Sequence, residues 1–212
     1  MDKQRFISLW KRCQSANGNG TDAEDAFAEV LARYSEPGRH YHTPKHIEHC
    51  LEQFDLVTKH LDDADSVEMA IWFHDLVFDV TSKDNEFNSA QRFVELASNS
   101  MDPEFKARVH ALIMATAPPR VPKTNDEQYV LDIDLSSFGL PWEDFLRDSN
   151  AVRQECSQLS DGEFFPGQLA FLKSLIAREH FYFTEFFRSR IEITARENIE
   201  LHLQNLREKG VV

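Results

Sequence analysis

The sequence predicts an all-α protein, a helical bundle of roughly eight to ten helices. With 7 Gly and 8 Pro in 212 residues, the chain is poor in turn-forming residues, since average usage would give about 25 of them. Apolar residues instead recur every three or four positions along most of the chain, as on one face of a helix. We find neither an internal repeat nor a long linker, so we predict one domain over residues 1–212.

Four helices are predicted in the first third of the chain. The first has apolar residues at positions 6, 9, 10 and 13 and ends at the Asn-Gly-Asn-Gly stretch 17–20. The second begins with a capping box formed by Thr21 and Glu24. The third begins at Thr43-Pro44, because threonine suits the cap and proline the first helical position. The fourth begins at Ser66, which can cap it.

Six further helical segments are predicted towards the C-terminus. The clearest interruption is the proline-rich stretch 117–122, because a residue before proline is driven out of the helical region. We interpret this stretch as an internal loop. The predicted segments cover residues 84–98, 102–116, 126–139, 142–157, 167–179 and 185–206.

The charge and cysteine content exclude several classes of protein. With 23 basic and 36 acidic residues the net charge is −13, which repels nucleic-acid polymers and anionic membranes. The 3 Cys lie far apart and form neither a disulfide framework nor a Cys-x-x-Cys zinc site. No apolar run approaches the ~20 residues of a membrane span. We therefore expect a soluble cytoplasmic protein, and the aromatic residues near the C-terminus favour core packing or a homodimer.

Histidine and aspartate residues interrupt apolar segments in two places. His74-Asp75 follows the apolar run 69–73, and Asp132 and Asp134 lie within a second run. A buried carboxylate is costly unless a cation or strong hydrogen bonds compensate it. Imidazoles and carboxylates are ordinary ligands of divalent metal ions, so a metal that joins these residues to His46 would resolve the cost.

This ordered set resembles the HD superfamily of metal-dependent phosphohydrolases, whose motif is a first His, a His-Asp doublet and a distant Asp. The chain is most similar to a bacterial family of predicted metal-dependent HD superfamily phosphohydrolases. Stretch 41–46 is also similar to the Tyr-His-Asn-x-x-His motif of cyclic-nucleotide phosphodiesterases, which share the fold. The matching segments are 41–46, 70–79, 84–86, 131–139 and 195–198, which extend over nearly the whole chain.

The resemblance implies an HD-domain helical bundle, a metal site and a hydrolytic activity on a small phosphoester such as a nucleotide. It implies that His46, His74, Asp75 and Asp134 are ligands of a divalent metal ion (Mn, Mg, Fe, Ni, Co or Zn), and the number of ions, one or two, stays open. Asp75 is also expected to act in catalysis, and His42 matches the residue that protonates the leaving oxygen. A bound dication lowers the pKa of its water and polarises a phosphoryl oxygen.

Several alternatives stay open at the level of sequence. Asp132 competes with Asp134 as the last ligand, and we prefer Asp134 because Asp134-Leu135-Ser136 matches the phosphodiesterase pattern. Asp79 and Glu86 either hold a second ion through water, or orient the nucleophile, or belong to a solvated acidic loop. Five basic residues either surround an anionic substrate or are ordinary surface residues: Arg39, Lys45, Lys83, Arg120 and Lys123.

Two other functions would use the same ligands. A di-iron oxygenase of the HD fold needs six or more His and Asp ligands, and only His110 lies between the His-Asp doublet and the last Asp. A non-catalytic metal-bound interaction module is the second alternative. Metal analysis and phosphoester turnover discriminate between these functions and the hydrolase.

Overall fold

The computed structural model describes residues 1–16, 18–118, 121–208 and 210. It has ten α-helices and two short 3-10 helices, and the described residues contain no strand, which confirms the all-α prediction. Asn17 and Arg120, named in the sequence predictions, lie outside the described residues. None of the helices in the described part of the chain is long and apolar enough to cross a membrane.

The chain divides into two compact units, Met1–Asp134 and Leu135–Val212, and the prediction of a single domain stays a prediction. A 3-10 helix at Thr58–His60 lies in the first unit, and one at Leu135–Gly139 begins the second. The first unit contains α1 (Lys3–Cys13), α2 (Ala23–Tyr34), α3 (Pro44–Val57), α4 (Ala64–Phe73), α5 (Asn85–Leu96), α6 (Pro103–Ala115) and α7 (Asn125–Asp134). The second contains α8 (Trp142–Glu155), α9 (Asp161–Ile176) and α10 (Glu185–Glu208).

Aspartate side chains cap three helices of the first unit. The carboxylate of Asp2 accepts a hydrogen bond from the backbone N–H of Arg5, at 3.0 Å. Asp22 caps α2, so the predicted capping box at Thr21 is wrong. Asp63 caps α4 and accepts from the N–H of Ser66 at 3.1 Å, which places Ser66 inside the first turn rather than at the cap. In all three helices a carboxylate occupies the cap, where it also interacts favourably with the helix dipole.

Helix α4 is the core element of the first unit. Every residue of α4 from Ser66 to Phe73 is buried, and the helix packs against α1, α3, α5, α6 and α7. Near its C-terminal end the Trp72 ring meets the ring of Phe6 edge-on, with 5.2 Å between centroids. Because α4 has neighbours on all sides, the residues that follow it, His74 and Asp75, are held by a rigid support.

In the second unit, polar side chains of α10 bind backbone carbonyls of other segments. The Asn198 amide donates to the carbonyls of Phe138 and Leu140, both at 2.8 Å. The Arg196 guanidinium donates to the carbonyl of Ile176 at 3.0 Å. The 195–198 segment, which carried part of the family resemblance, therefore has a structural role within this unit. Phe181 and Phe187 are buried, which is the core packing expected of the aromatic C-terminal region, and the homodimer stays a prediction.

Candidate metal centre

Four side chains of the first unit converge at one point. His46 lies in the first turn of α3, His74 and Asp75 follow α4 directly, and Asp134 is the last residue of α7. The Asp75 backbone N–H also donates to the Tyr34 hydroxyl at 3.2 Å, which ties the doublet to the end of α2. Three helices therefore deliver ligand-type atoms from different directions to a common centre.

The donor atoms of the four residues are closely and evenly spaced. The two imidazole Nε2 atoms are 3.1 Å apart. The Asp75 Oδ2 atom lies 3.0 Å from His74 Nε2 and 3.5 Å from His46 Nε2. The Asp134 Oδ1 atom lies 3.4 Å from each of the two Nε2 atoms. A single ion with metal–ligand bonds of about 2.0–2.2 Å holds neighbouring ligand atoms about 3–3.5 Å apart, so the cluster can hold one metal ion.

The imidazoles form the floor of this cluster and the carboxylates form its open side. The His46 and His74 side chains are 2% and 3% exposed, whereas those of Asp75 and Asp134 are 16% and 24% exposed. The metal-ligand prediction named these same residues, and the structure brings all of them together. It brings Asp134 and not Asp132 to the cluster.

A backbone hydrogen bond sets the orientation of the His74 ring. His74 Nδ1 lies 2.9 Å from the carbonyl oxygen of Ile71, which can only accept. Nδ1 therefore carries a proton in either charge state, and Nε2 is the nitrogen that faces the centre of the cluster and can bind an ion once the ring is neutral. Partners of this kind are typical of metal-binding imidazoles, because they fix the ring and make it more basic.

In this cluster two carboxylates face two imidazoles, and each pair shifts the pKa values of the other. Burial disfavours the charged imidazole of His74, but Asp75 and Asp134 outweigh it and raise its pKa well above the ordinary value. Burial likewise disfavours the charged Asp134 carboxylate, but hydrogen bonds from His46 and His74 lower its pKa to about 2. The pKa of Asp75 is also held well below its ordinary value, against burial, chiefly by His74 and His42. Both carboxylates are thus ionised at neutral pH and available to a cation.

Metal affinity is expected to increase with pH between about pH 6 and pH 8. The pKa of His74 is raised above its ordinary 6.5, so the metal-free protein retains a proton that must leave before Nε2 can bind an ion. Each displaced proton changes the affinity by about tenfold per pH unit. Titration calorimetry with Zn²⁺ in buffers of different ionisation enthalpy counts these protons. An affinity that is constant over this range would contradict the prediction.

His42 lies on the carboxylate side of the cluster. Its Nε2 atom is 3.7 Å from Asp75 Oδ2, and its ring packs on Phe78 with 4.2 Å between centroids. The side chain is partly exposed, so a molecule bound at the open side can reach it. This position is compatible with the predicted proton transfer to a leaving group, a role that stays a prediction.

Arg39 connects the loop that carries His42 to the His-Asp doublet. Its side chain is buried, and its guanidinium donates to the backbone carbonyls of Asp75 at 2.7 Å, Leu76 at 2.8 Å and His42 at 3.3 Å. A planar fork with several donors is needed to bind these separate carbonyls at once. Arg39 therefore holds the framework of the site and does not extend into it as a substrate-binding cation. Three other basic residues, for which the sequence left a contact with an anionic substrate open, are exposed at the surface: Lys45, Lys83 and Lys123.

Replacing Arg39 with lysine is expected to weaken metal binding by about 10–100-fold, as loss of a ligand-orienting partner typically does. One ammonium cannot bind the carbonyls of Asp75, Leu76 and His42 together, so the doublet loses its fixed position. Calorimetric titration of the folded variant measures the loss. The matched control is Arg147→Lys, which alters exposed ion pairs with Asp144 and Asp148. Equal affinities for the two variants would contradict this role.

The structure separates the two acidic residues whose roles were left open. Asp79 is exposed, and its carboxylate accepts from the N–H and hydroxyl of Thr81 at 2.8 and 2.7 Å, which is a local turn. Glu86, in the first turn of α5, is half-buried. Burial, and then the charges of Asp75 and Asp134, raise its pKa, although its own backbone N–H opposes the shift. The charges of the cluster therefore act on Glu86, whereas the Asp79 carboxylate belongs to the surrounding loop.

The sequence reasoning missed one member of this neighbourhood. Cys50 is one of the three cysteines that lie far apart in the sequence, and its sulfur lies 3.7 Å from His46 Nε2. The signal was present in the sequence, because residues i and i+4 of a helix lie on the same face. His110, by contrast, lies 3.2 Å from the amide of Gln91 and is not one of the clustered ligand-type residues.

Comparison with protein-family models, with curated proteins and with solved structures finds no match to this chain. The fold and the site alone define it as an all-α protein with a buried His/Asp cluster that can hold a metal ion.

Proposed function

We propose that this chain is a metal-dependent phosphohydrolase of the HD type that acts on a small phosphoester such as a nucleotide. The observation that carries the proposal is the spacing of 3.0–3.5 Å that separates the Nε2 atoms of His46 and His74 from each other and from the carboxylate oxygens of Asp75 and Asp134. The order of these residues along the chain, which resembles the HD motif, supports it further.

In the proposed reaction each side chain has a role that follows from its position. His46 and His74 hold the ion from the buried side, and Asp75 and Asp134 neutralise its charge while leaving the outer side open to substrate. A divalent ion bound there would lower the pKa of a water molecule and polarise an oxygen of the phosphoryl group whose phosphorus the water attacks. His42 donates a proton to the leaving oxygen, and Glu86, whose raised pKa makes it a better base, orients the attacking water.

The alternatives differ from this proposal in the ligands and the turnover that they require. Within the described part of the chain the cluster has two His and two Asp, whereas a di-iron oxygenase needs six or more such ligands. A metal-bound interaction module would bind the ion without any phosphoester turnover that depends on Asp75. The four-ligand cluster therefore favours a hydrolase with one main ion over the oxygenase.

The first test is metal analysis of protein purified without a histidine tag. We expect the wild type to carry or take up about one equivalent of a divalent metal, and His74→Ala/Asp75→Ala to lose it. Circular dichroism shows whether the variant is folded. If both proteins are folded and bind equally little metal, the proposal fails. A screen of nucleotides and sugar phosphates with Mn²⁺, Mg²⁺, Ni²⁺ and Co²⁺ then identifies the substrate, with the double variant as control.

A further inference from the structure

The guanidinium of Arg39 contacts two aromatic rings of the first unit. Its central carbon lies 5.2 Å from the centre of the Tyr34 ring and 5.7 Å from the centre of the Phe78 ring. Both distances lie within the range of cation–π attraction, which extends to about 6 Å. Since Arg39 is buried and bound to three backbone carbonyls, the Phe78 ring packs against a group whose position the fold fixes.

The Phe78 ring also packs on the imidazole of His42. The two ring centres are 4.2 Å apart and the ring planes are inclined by 31°, so the rings are closer to a stack than to an edge-on contact. The Tyr41 ring meets the same imidazole edge-on, at 4.9 Å and 86°. The last side-chain torsion of a histidine has only a broad intrinsic preference. The packed rings therefore restrict the direction in which the His42 imidazole points.

The direction set by these contacts is towards the carboxylate side of the cluster. His42 Nε2 lies 3.7 Å from Asp75 Oδ2. His42 precedes α3 and Phe78 follows α4, and Arg39 donates to carbonyls of both segments, those of His42 and of Asp75 and Leu76. Phe78 thus connects a fixed guanidinium to an imidazole at the open side of the site.

We propose that Phe78 is a positioning residue, which holds the His42 imidazole in the direction needed to reach the leaving oxygen of a phosphoester at the metal centre. The inference rests on the proposed function, because it concerns the group that donates a proton there. Phe78 itself forms and breaks no bond. Without its ring the imidazole takes up other directions, and a misplacement of about 1 Å can cost about a hundredfold in rate.

Replacing Phe78 with leucine is expected to lower kcat by about 10–100-fold for a phosphoester with a poor leaving group, with little change in KM. The loss should be much smaller for nitrophenyl phosphate, whose leaving group needs no proton. Metal content should stay at the wild-type level, because the hydrogen bonds of Arg39 to the backbone do not involve Phe78. Phe78→Tyr keeps an aromatic ring and should retain most of the rate.

The matched control is Phe105→Leu, which should retain wild-type kinetics. Phe105 is also a half-buried phenylalanine of the first unit whose ring lies near a guanidinium, that of Arg108 at 5.8 Å. An equal loss of kcat for both substrates in Phe78→Leu, or a loss of metal, would overturn the proposed role. In that case Phe78 would stabilise the framework and not the direction of His42.

A double variant shows whether Phe78 acts through His42. If it does, His42→Gln/Phe78→Leu should be no slower than His42→Gln alone, because residues that act as a unit have non-additive effects. Losses that multiply would overturn the inference and leave the proposed function intact. A wild type without turnover, or a His42→Gln variant as fast as the wild type, would overturn the proposed proton donor and this role with it.

Proton NMR of the chain without added metal tests the stack independently of turnover. The ring current of a phenyl ring 4.2 Å away should shift the imidazole resonances of His42 upfield, and their loss in His42→Gln assigns them. We expect these resonances to return towards ordinary positions in Phe78→Leu and to stay shifted in Phe105→Leu. Resonances at ordinary positions in the wild type would overturn the inference, even if Phe78→Leu does not fold.

Discussion

Replacing Asp75 with asparagine is expected to lower kcat/KM for phosphoester hydrolysis by about a thousandfold or more. The Asp75 Oδ2 atom lies 3.0 Å from His74, 3.5 Å from His46 and 3.7 Å from His42, so this carboxylate oxygen is close to three imidazoles. An amide has nearly the same shape but no charge and is a poor metal ligand. A bound metal ion contributes several kcal/mol of transition-state stabilisation, and about 4 kcal/mol corresponds to a thousandfold in rate.

Steady-state rates measured at increasing metal concentration test this expectation, because they separate weaker metal binding from a slower chemical step. The matched control is Asp79→Asn, in which an exposed carboxylate bound only within its own turn loses its charge. That control should retain wild-type kcat/KM. Undiminished turnover by Asp75→Asn would show that the hydrolysis occurs elsewhere in the protein.

Replacing His42 with glutamine is expected to lower kcat by about 10²–10⁴-fold for phosphoesters with poor leaving groups, the usual contribution of a general acid. The loss should be much smaller for nitrophenyl phosphate, because a nitrophenolate leaves without prior protonation. Metal content should stay at the wild-type level, since His42 lies 3.7 Å from Asp75 and is not one of the four clustered ligands. This dependence on the leaving group separates proton donation from a loss of structure.

The rate measurements need two substrates that differ only in leaving group, with the metal content of each preparation determined alongside. His110→Gln is the matched control, because this histidine contacts Gln91 and lies outside the ligand groups. An equal loss of kcat for both substrates in His42→Gln would argue for a positioning role and against a general acid.

Helix type was predictable from periodicity, but helix ends were not. Positions 6, 9, 10 and 13 mark the apolar face of α1, and Pro44 and Pro103 mark the starts of α3 and α6 as expected. Helix α9 instead begins at Asp161, before the predicted start at 167, because Ser160 and Glu163 form a capping box that outweighs Pro166. Pairs of polar residues compete for each cap, and only the geometry of the chain shows which one accepts the backbone N–H.

The candidate ligands were predictable because a carboxylate in an apolar segment is costly without a cation, a cost that the sequence itself displays. The sequence by itself did not determine which of these residues meet across the fold. Asp132 and Asp134 both lie within one apolar run, and the direction of α7 decides that Asp134 enters the cluster. Similarly, Asp79 and Glu86 are both acidic residues beyond the doublet, but the charges of Asp75 and Asp134 act on Glu86, whereas the Asp79 carboxylate binds Thr81 in its own turn.

The sequence by itself determined that the protein is all-α and that His46, His74, Asp75 and an aspartate of the 131–135 run are the chemically unusual residues. Those properties depend on local spacing and on the cost of burying charge, and both can be read along the chain. Only the tertiary structure decided that Arg39 binds backbone carbonyls instead of substrate, and that Cys50 adjoins the imidazoles. These roles depend on distances between helices that are far apart in sequence, which packing sets and residue type does not encode.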